Sequence, residues 1–344
     1  MNSRRFLTKA LMQLGSLSVL LLVCILFALK VGAVDITPDD IFRELASRMR
    51  GTPGPSADVL WSLRIPRVLL AAVVGAVLAA GGAALQGLLG NPLAEPYTAG
   101  VSSGCLLGVS LAIVFPAFFF PGFKGQVPGW GPMAAAFVTG LIAVSLVLLL
   151  ARRTGKLDVS SFLLAGIIVG SFFWAVTTFL LTATNQDLAR ILRWLIGSLA
   201  TPYPWDHLVI CSWFALVTLA GLLWFSRDLN AFAMGEDSAR TLGVEPERLK
   251  LAVIGFVTLG TAACVSVAGV IGFVGLIVPH GVRKLVGYDH RLLIPASALG
   301  GACLLVLADA LARGLVPPRE IPIGVITSAI GAPVFLFILT RGKK

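Results

Sequence analysis

The chain predicts an all-α, polytopic membrane protein, and three observations predict it. Of its 344 residues, 57% are hydrophobic and only 13% charged, and the mean hydropathy is +0.92, too apolar for a water-soluble domain of this length. The apolar residues are gathered into stretches of about 20, the length that crosses a bilayer as a helix. Those stretches lack the period-2 alternation of a lipid-facing barrel strand. Backbone amides cannot stay unpaired in hydrocarbon, so an α-helical bundle follows. Residues 1–344 read as a single transmembrane domain, broken only at Ser226 to Lys250.

Spans are expected near 14–34, 67–88, 97–118, 131–151, 160–182, 206–225, 249–269, 271–284, 292–312 and 323–340, about ten by the 20-residue rule. The first follows Arg4 and Arg5 and resembles a signal peptide in that respect. Its apolar run is longer than an h-region of about 7–15 residues and has no A-x-A site, so it is expected to stay as a span. In the second, Gly75, Ala79, Ala83 and Gly87 recur every four residues, and in the eighth Gly269, Gly272 and Gly275 recur every three, each offering a bare face to a neighbour. In the fifth, Ser171, Thr178 and Thr182 fall on one helical face. That face either lines a water-accessible route or carries hydroxyls bonded to their own backbone.

Orientation follows from the basic loops. With the N-terminus inside and an even number of spans, Arg4, Arg5 and Lys9, then Arg152, Arg153 and Lys156, then Arg283, Lys284 and Arg291, then Arg341, Lys343 and Lys344 all fall on the cytoplasmic side. Both termini are therefore expected to be cytoplasmic. The same loops account for most of the +10 formal charge without nucleic acid as a partner.

Several chemistries find no support in the residues. Cys24, Cys105, Cys211, Cys264 and Cys303 lie inside predicted spans without C-x-x-C spacing and read as small packing residues. His207, His280 and His290 are scattered, so no metal site is expected, and His280 and His290 are read as structural or interfacial. Gly100–Gly104 matches G-x-S-x-G, but it opens an apolar helix where a nucleophile elbow needs a strand-to-helix turn. Gly155-Lys156 lacks the glycine five residues earlier and the following Ser or Thr of a Walker A loop. Ion-coupled carriers place ionisable groups near the midplane; here Asp158, Asp206 and Asp309 sit near span ends, and the deep polar groups, such as Gln86, are uncharged.

Two regions stand out. In Ser226–Lys250, Leu229, Phe232 and Ala233 form one short apolar face, and after Gly235 the pair Ala239 and Leu242 forms a second. Glu236 and Asp237 open that second helix, Arg240 lies near its end and Gly243 stops it. Two bent helices over about 228–243, pressed into a partner's groove, explain an apolar face that a solvated loop would not need. At the opposite, external span ends, Arg64, Arg67 and Arg313 run against the usual charge bias. They suit either an acidic docking partner or substrate, or lipid phosphate reached by snorkelling.

These residues carry a resemblance. The stretch Gly269 to Leu339, with LRIPR (Leu63 to Arg67), GLLGNPLAEP (Gly87 to Pro96), GVSSG, RWLIGSL (Arg193 to Leu199) and MGEDSARTLGV (Met234 to Val244) in order, resembles the FecCD/BtuC family, permease subunits of type II ABC importers of iron–siderophore complexes, haem and cobalamin. The resemblance covers nearly the whole chain and implies a bacterial or archaeal cytoplasmic membrane. It implies that Gly235, Glu236, Ala239, Leu242 and Gly243 couple to an ATP-binding cassette ATPase dimer. It also implies that Arg64, Arg67 and Arg313 receive acidic residues from the two lobes of a periplasmic or lipid-anchored substrate-binding protein. A second permease copy would complete a path lined by the fifth and tenth spans, with Ser171, Thr178 and Thr182 as candidate lining residues and a short helix around Asp187–Ser198 at its mouth. The chain itself is then expected to be non-catalytic and to bind no cofactor, with ATP and Mg on the ATPase. Ferric siderophore is the commonest cargo in the family; haem, cobalamin and an ion-coupled secondary carrier are the alternatives.

Overall fold

All ten predicted stretches are helical, but not at equal length. The computed structural model describes every residue except 1–2, 33–36, 38, 40–42, 45–58, 124–126, 154–155, 184–187, 318 and 342–344. Asp187, Lys343 and Lys344, named above, therefore lie outside the described residues. In chain order the main helices are α1 (Ser3–Lys30), α2 (Ile65–Leu89, preceded by a π-helical turn at Leu60–Arg64), α3 (Val101–Val114, followed by a single turn at Pro116–Phe119), α4 (Gly131–Ala151), α5 (Val159–Ala183), α6 (Leu188–Leu195), α7 (Pro204–Trp224), α8 (Ser226–Phe232), α9 (Glu236–Thr241), α10 (Pro246–Ala268), α11 (Val274–Val286), α12 (His290–Gly314) and α13 (Ile323–Arg341). A two-residue antiparallel ladder, Arg152–Arg153 against Lys156–Leu157, joins α4 to α5. The fold class is all-α, as expected.

Among the described residues seven helices are long and apolar enough to cross a bilayer: α1, α2, α4, α5, α7, α10 and α12. About ten spans were expected; α3 and the apolar part of α13, Ile323–Phe337, are shorter than a bilayer-crossing helix, and α11 is about as short as the stretch expected there but begins three residues later. The cause is local. Gly90 ends α2 at φ 58°, the chain passes through a 3-10 turn at Pro96–Ala99, and Gly100 at φ 76° restarts it as α3. Similarly, Gly269 at φ 71° and Phe273 at φ 69° delay α11 to Val274. Irregular backbone within a bundle must find protein partners. Tyr97 supplies them, its hydroxyl donating to the Ile271 carbonyl at 3.0 Å and accepting from the Ile271 N–H at 3.3 Å.

Helix α2 is the axis of the bundle. In its most apolar stretch 78% of residues are buried, and it packs against α7, α10, α11 and α12, whereas in the corresponding stretch of the peripheral α1 6% are buried. The predicted seam of small residues on α2 faces α12. A Cβ on Gly75 would overlap the Gly301 carbonyl, and one on Gly301 would lie 2.5 Å from Ala79 Cβ. A second close approach joins Gly82 of α2 to Gly275 of α11. The three-glycine seam expected near α11 reduces to Gly275, because Gly269 and Gly272 precede the helix. Lipid tails are as apolar as Leu, so such seams are held by dispersion and by hydrogen bonds between helices. Gln86 supplies these, its Nε2 donating to the Gly275 and Leu276 carbonyls at 3.2 and 3.3 Å and its Oε1 accepting from Arg283 at 3.1 Å.

The two ends of the bundle differ in what they display. Gln13 of α1 donates to the Leu285 carbonyl at 2.7 Å, Lys250 to the Leu157 carbonyl at 3.0 Å, and Asn230 to Asp289 at 2.7 Å. These contacts gather the start of α1, the α4–α5 ladder, α8, α9 and the α11–α12 turn at one end. Arg64, Arg67, Arg313 and Glu320 gather at the other.

Candidate functional site

At the first end, the predicted pair of bent helices is present as α8 and α9. The bend is Gly235, whose φ of 110° excludes most side chains. The stop is a Schellman motif, in which the Val244 N–H donates to the Ala239 carbonyl and the Gly243 N–H to that of Arg240, each at 3.0 Å, with Gly243 at φ 84°. The predicted apolar faces divide. Leu229 and Ala239 turn inward and are fully buried, while Leu242 and Met234 remain 64% and 72% exposed. The inward residues seat the helices, and the outward ones leave an apolar knob.

Sequence reasoning missed the residue that holds α9 in place. Lys250 of α10 is buried, and its ammonium donates to Glu236 Oε2 at 3.0 Å, Glu247 Oε1 at 3.1 Å and the Leu157 carbonyl at 3.0 Å. Glu247 Oε2 in turn accepts from the Leu157 N–H at 2.8 Å. The bond from Lys250 holds the Glu236 carboxyl below the usual carboxylate range. Helix α8 is fixed separately through Asn230, whose Oδ1 accepts from the His290 N–H at 2.8 Å. Asp289 caps α12 through the Arg291 N–H, and the Arg291 side chain, with Asn230, draws its carboxyl down to about 2. His290 is thus structural, as expected.

At the opposite end the three predicted arginines lie close together, two of them on a carboxylate that the sequence marked only as lying near a span end. Asp309 is 1% exposed, accepting from Arg313 Nε through one oxygen and from Arg67 Nε through the other, both at 3.0 Å. Arg313 Nη1 also donates to the Val31 carbonyl at 2.6 Å and its Nη2 to that of Ala28 at 3.0 Å. Arg64 Nη1 donates to the Leu29 and Lys30 carbonyls at 2.8 and 3.2 Å. These carbonyls end α1, so buried Arg64 and Arg313 complete its C-terminus, where carbonyls lack helical partners. Arg67 is placed differently, its Nη1 meeting both oxygens of the half-exposed Glu320 at 2.9 Å. The i, i+4 spacing of Asp309 and Arg313 was the available signal for this cluster. Two cavities flank the Arg67–Glu320 pair, of about 500 and 340 Å³, and Leu199, Ala200 and Thr201 line both.

The remaining candidates are placed as follows. Ser171 and Thr178 lie on an exposed face of α5, and Thr178 and Thr182 donate to the Trp174 and Phe179 carbonyls, each at 2.9 Å. The short helix expected around Asp187–Ser198 is α6. Gly104 packs against Thr139 and Ala143 of α4, the close-packing reading of GVSSG. All five cysteines are buried. Glu95, between the second and third expected spans, lines a small cavity together with Phe273 at the start of α11. That start lies beside Gly82, seven residues from the end of α2 and therefore about 10 Å inside it.

Long apolar helices around a glycine-packed axis, with a bent helix pair at one end, define a multi-pass membrane protein. The chain belongs to the FecCD transport family, whose model matches residues 20–341. It is 39% identical over 97% of its length to the hemin transport system permease protein HmuU of Yersinia pestis, covering 96% of that protein. It is 40% identical to an ABC transporter permease protein of Bacillus subtilis, YvrB, which lacks an assigned role, over 94% of this chain and 92% of that one. It is 38% identical to the vitamin B12 import system permease protein BtuC of Vibrio cholerae, over 93% and 90%. Among solved structures it superposes on an inward-facing metal-chelate type ABC transporter with a TM-score of 0.81 and 32% identity, covering 96% of this chain and 99% of that one. The protein is therefore an ABC transporter permease.

Proposed function

We propose that this permease carries a bulky metal chelate inward, driven by ATP hydrolysed on a separate ATPase dimer. A substrate-binding protein would deliver the chelate to the Arg67 end, facing outside, and the ATPase would grip the α8–α9 end in the cytoplasm. The observation that carries this reading is the pair α8 and α9, with Met234 and Leu242 exposed on either side of α9, which is itself seated by buried Ala239 and the Glu236–Lys250 ion pair. Such a knob suits a groove on a partner. ATP binding there would shift the bundle between two packings. Two copies of the chain would enclose the path, with α5 and α13 on its walls and Ser171, Thr178 and Thr182 exposed toward it. A weakly polar path suits a bulky chelate that must pass without being trapped.

The cargo proposed first is a ferric siderophore, with haem and cobalamin as alternatives. Relatives named for hemin and vitamin B12 transport, together with a structural neighbour named for metal chelates, support the chemical class. The test is uptake into proteoliposomes that hold the permease with the ATPase and binding protein encoded beside it, offered each cargo in turn. Uptake of a ferric siderophore that requires ATP is expected. Uptake of haem or cobalamin instead would reassign the cargo, and uptake driven by an ion gradient without ATP would replace the importer by a secondary carrier, with Glu95 its first candidate ion site.

A further inference from the structure

The three external arginines are not equivalent, and the difference assigns a role to Glu320. Arg64 and Arg313 are 6% and 7% exposed, with their guanidinia turned onto the carbonyls that end α1. Arg67 has one fixed carboxylate, Asp309, and one that can leave. The Asp309 side chain is 1% exposed and that of Glu320 45%. An ion pair with so exposed a partner is weak, because water and salt compete for both charges. The buried bond to Asp309 meanwhile keeps the guanidinium charged, aimed and in place.

We infer that Glu320 is an internal stand-in for a partner's carboxylate. Docking of an acidic side chain displaces it from Arg67, and the exchange loosens the segment that leads into α13. The geometry supports both halves. Glu320 presents both carboxylate oxygens to Arg67 Nη1, as an incoming carboxylate would. It lies three residues before Ile323, where α13 begins, and the Ile321 N–H between them is tied to the Ala312 carbonyl at 3.0 Å. The Arg67–Glu320 pair also stands in the lining of both external cavities. Its opening would join two spaces of about 500 and 340 Å³ beside the α13 leader. A single carboxylate exchange thereby links recognition at the surface to a path-lining helix.

This inference rests on the docking reading of Arg67, and the experiment separates the two. The permease–ATPase complex is placed in nanodiscs and titrated with the binding protein encoded beside it, at low and moderate salt. Arg67→Gln should weaken docking. Glu320→Gln removes the competing charge while keeping its shape, and should tighten docking about three- to fivefold, the size of an exposed ion pair; Glu320→Asp should shift it in the same direction by less. Thermal midpoints of both Glu320 variants serve as a check that the fold is kept. If Arg67→Gln leaves docking unchanged, the docking assignment fails and the stand-in with it. If Arg67→Gln weakens docking while both Glu320 variants leave it equal or weaker, docking stands and the stand-in is overturned.

Discussion

The two ends of this bundle solve the same electrostatic problem with opposite signs. At one, a buried carboxylate, Asp309, is shared by Arg67 and Arg313; at the other, a buried ammonium, Lys250, is shared by Glu236 and Glu247. In each case burying a lone charge would be costly, and two opposite charges offset it, while backbone carbonyls take up the remaining donors of Arg313 and Lys250. The difference lies in what is left facing outward. The Asp309 end exposes a charged group, Glu320, paired with an arginine, which suits recognition of charge under the proposed function. The Lys250 end seats α9 through Glu236 and exposes Leu242 and Met234, which suits an apolar groove on the proposed ATPase. One cluster suits a partner that arrives and leaves, the other a partner that stays through a cycle.

The largest effect expected at either end is from Asp309→Asn. It leaves two guanidinia short of their shared carboxylate, one of them buried, and should cost about 3 kcal/mol of stability, read as a lowered thermal midpoint in detergent. Lys250→Met should cost less, about 1–2 kcal/mol, because the carboxylates it leaves reach solvent. It should also lower the amount of cargo moved per ATP, and an unchanged ratio would remove Lys250 from the coupling route. Asp289→Asn, which keeps a side-chain cap on α12 but removes the charge paired with Arg291, should cost about 0.5–1 kcal/mol. The Asp289 carboxyl is drawn down to about 2 from an ordinary 3.8, so its contribution is complete above the ordinary value and is lost as pH falls through the lowered one. The wild-type midpoint should therefore drop between about pH 4 and 2 more steeply than that of Asp289→Asn. Smallest in stability is Leu242→Asp, within about 0.5 kcal/mol because the side chain is exposed.

How much of this was legible in the sequence depends on the range of the interactions. The helices α8 and α9 were readable because their signals are local, with Gly235 at the bend, Gly243 at the stop and acidic residues in the first turn of α9. The bundle and its α2 seam were readable from hydropathy and a four-residue repeat. The late start of α11 was not, because glycines that open a loop and glycines that line a seam look alike until the φ angles are known. The three arginines were flagged as a set, yet their division into two structural members and one poised member depends on partners far along the chain. Arg64 and Arg313 meet the end of α1, and Arg67 meets Asp309 and Glu320. Lys250 escaped notice for the same reason, since Leu157 lies 93 residues away. Glu95 was legible only as a residue in a Pro-rich loop, because nothing local shows that the loop folds back against α11.

The central claim is that the two ends serve different partners, and one paired measurement tests it. Arg67→Gln and Leu242→Asp permeases are purified alongside wild type, and each is scored for co-purification of the ATPase and for binding-protein docking. The account predicts that Arg67→Gln weakens docking and keeps the ATPase, whereas Leu242→Asp loses the ATPase and keeps docking by the reconstituted permease alone. Loss of the ATPase in Arg67→Gln, or full retention of it in Leu242→Asp, would contradict the division of roles.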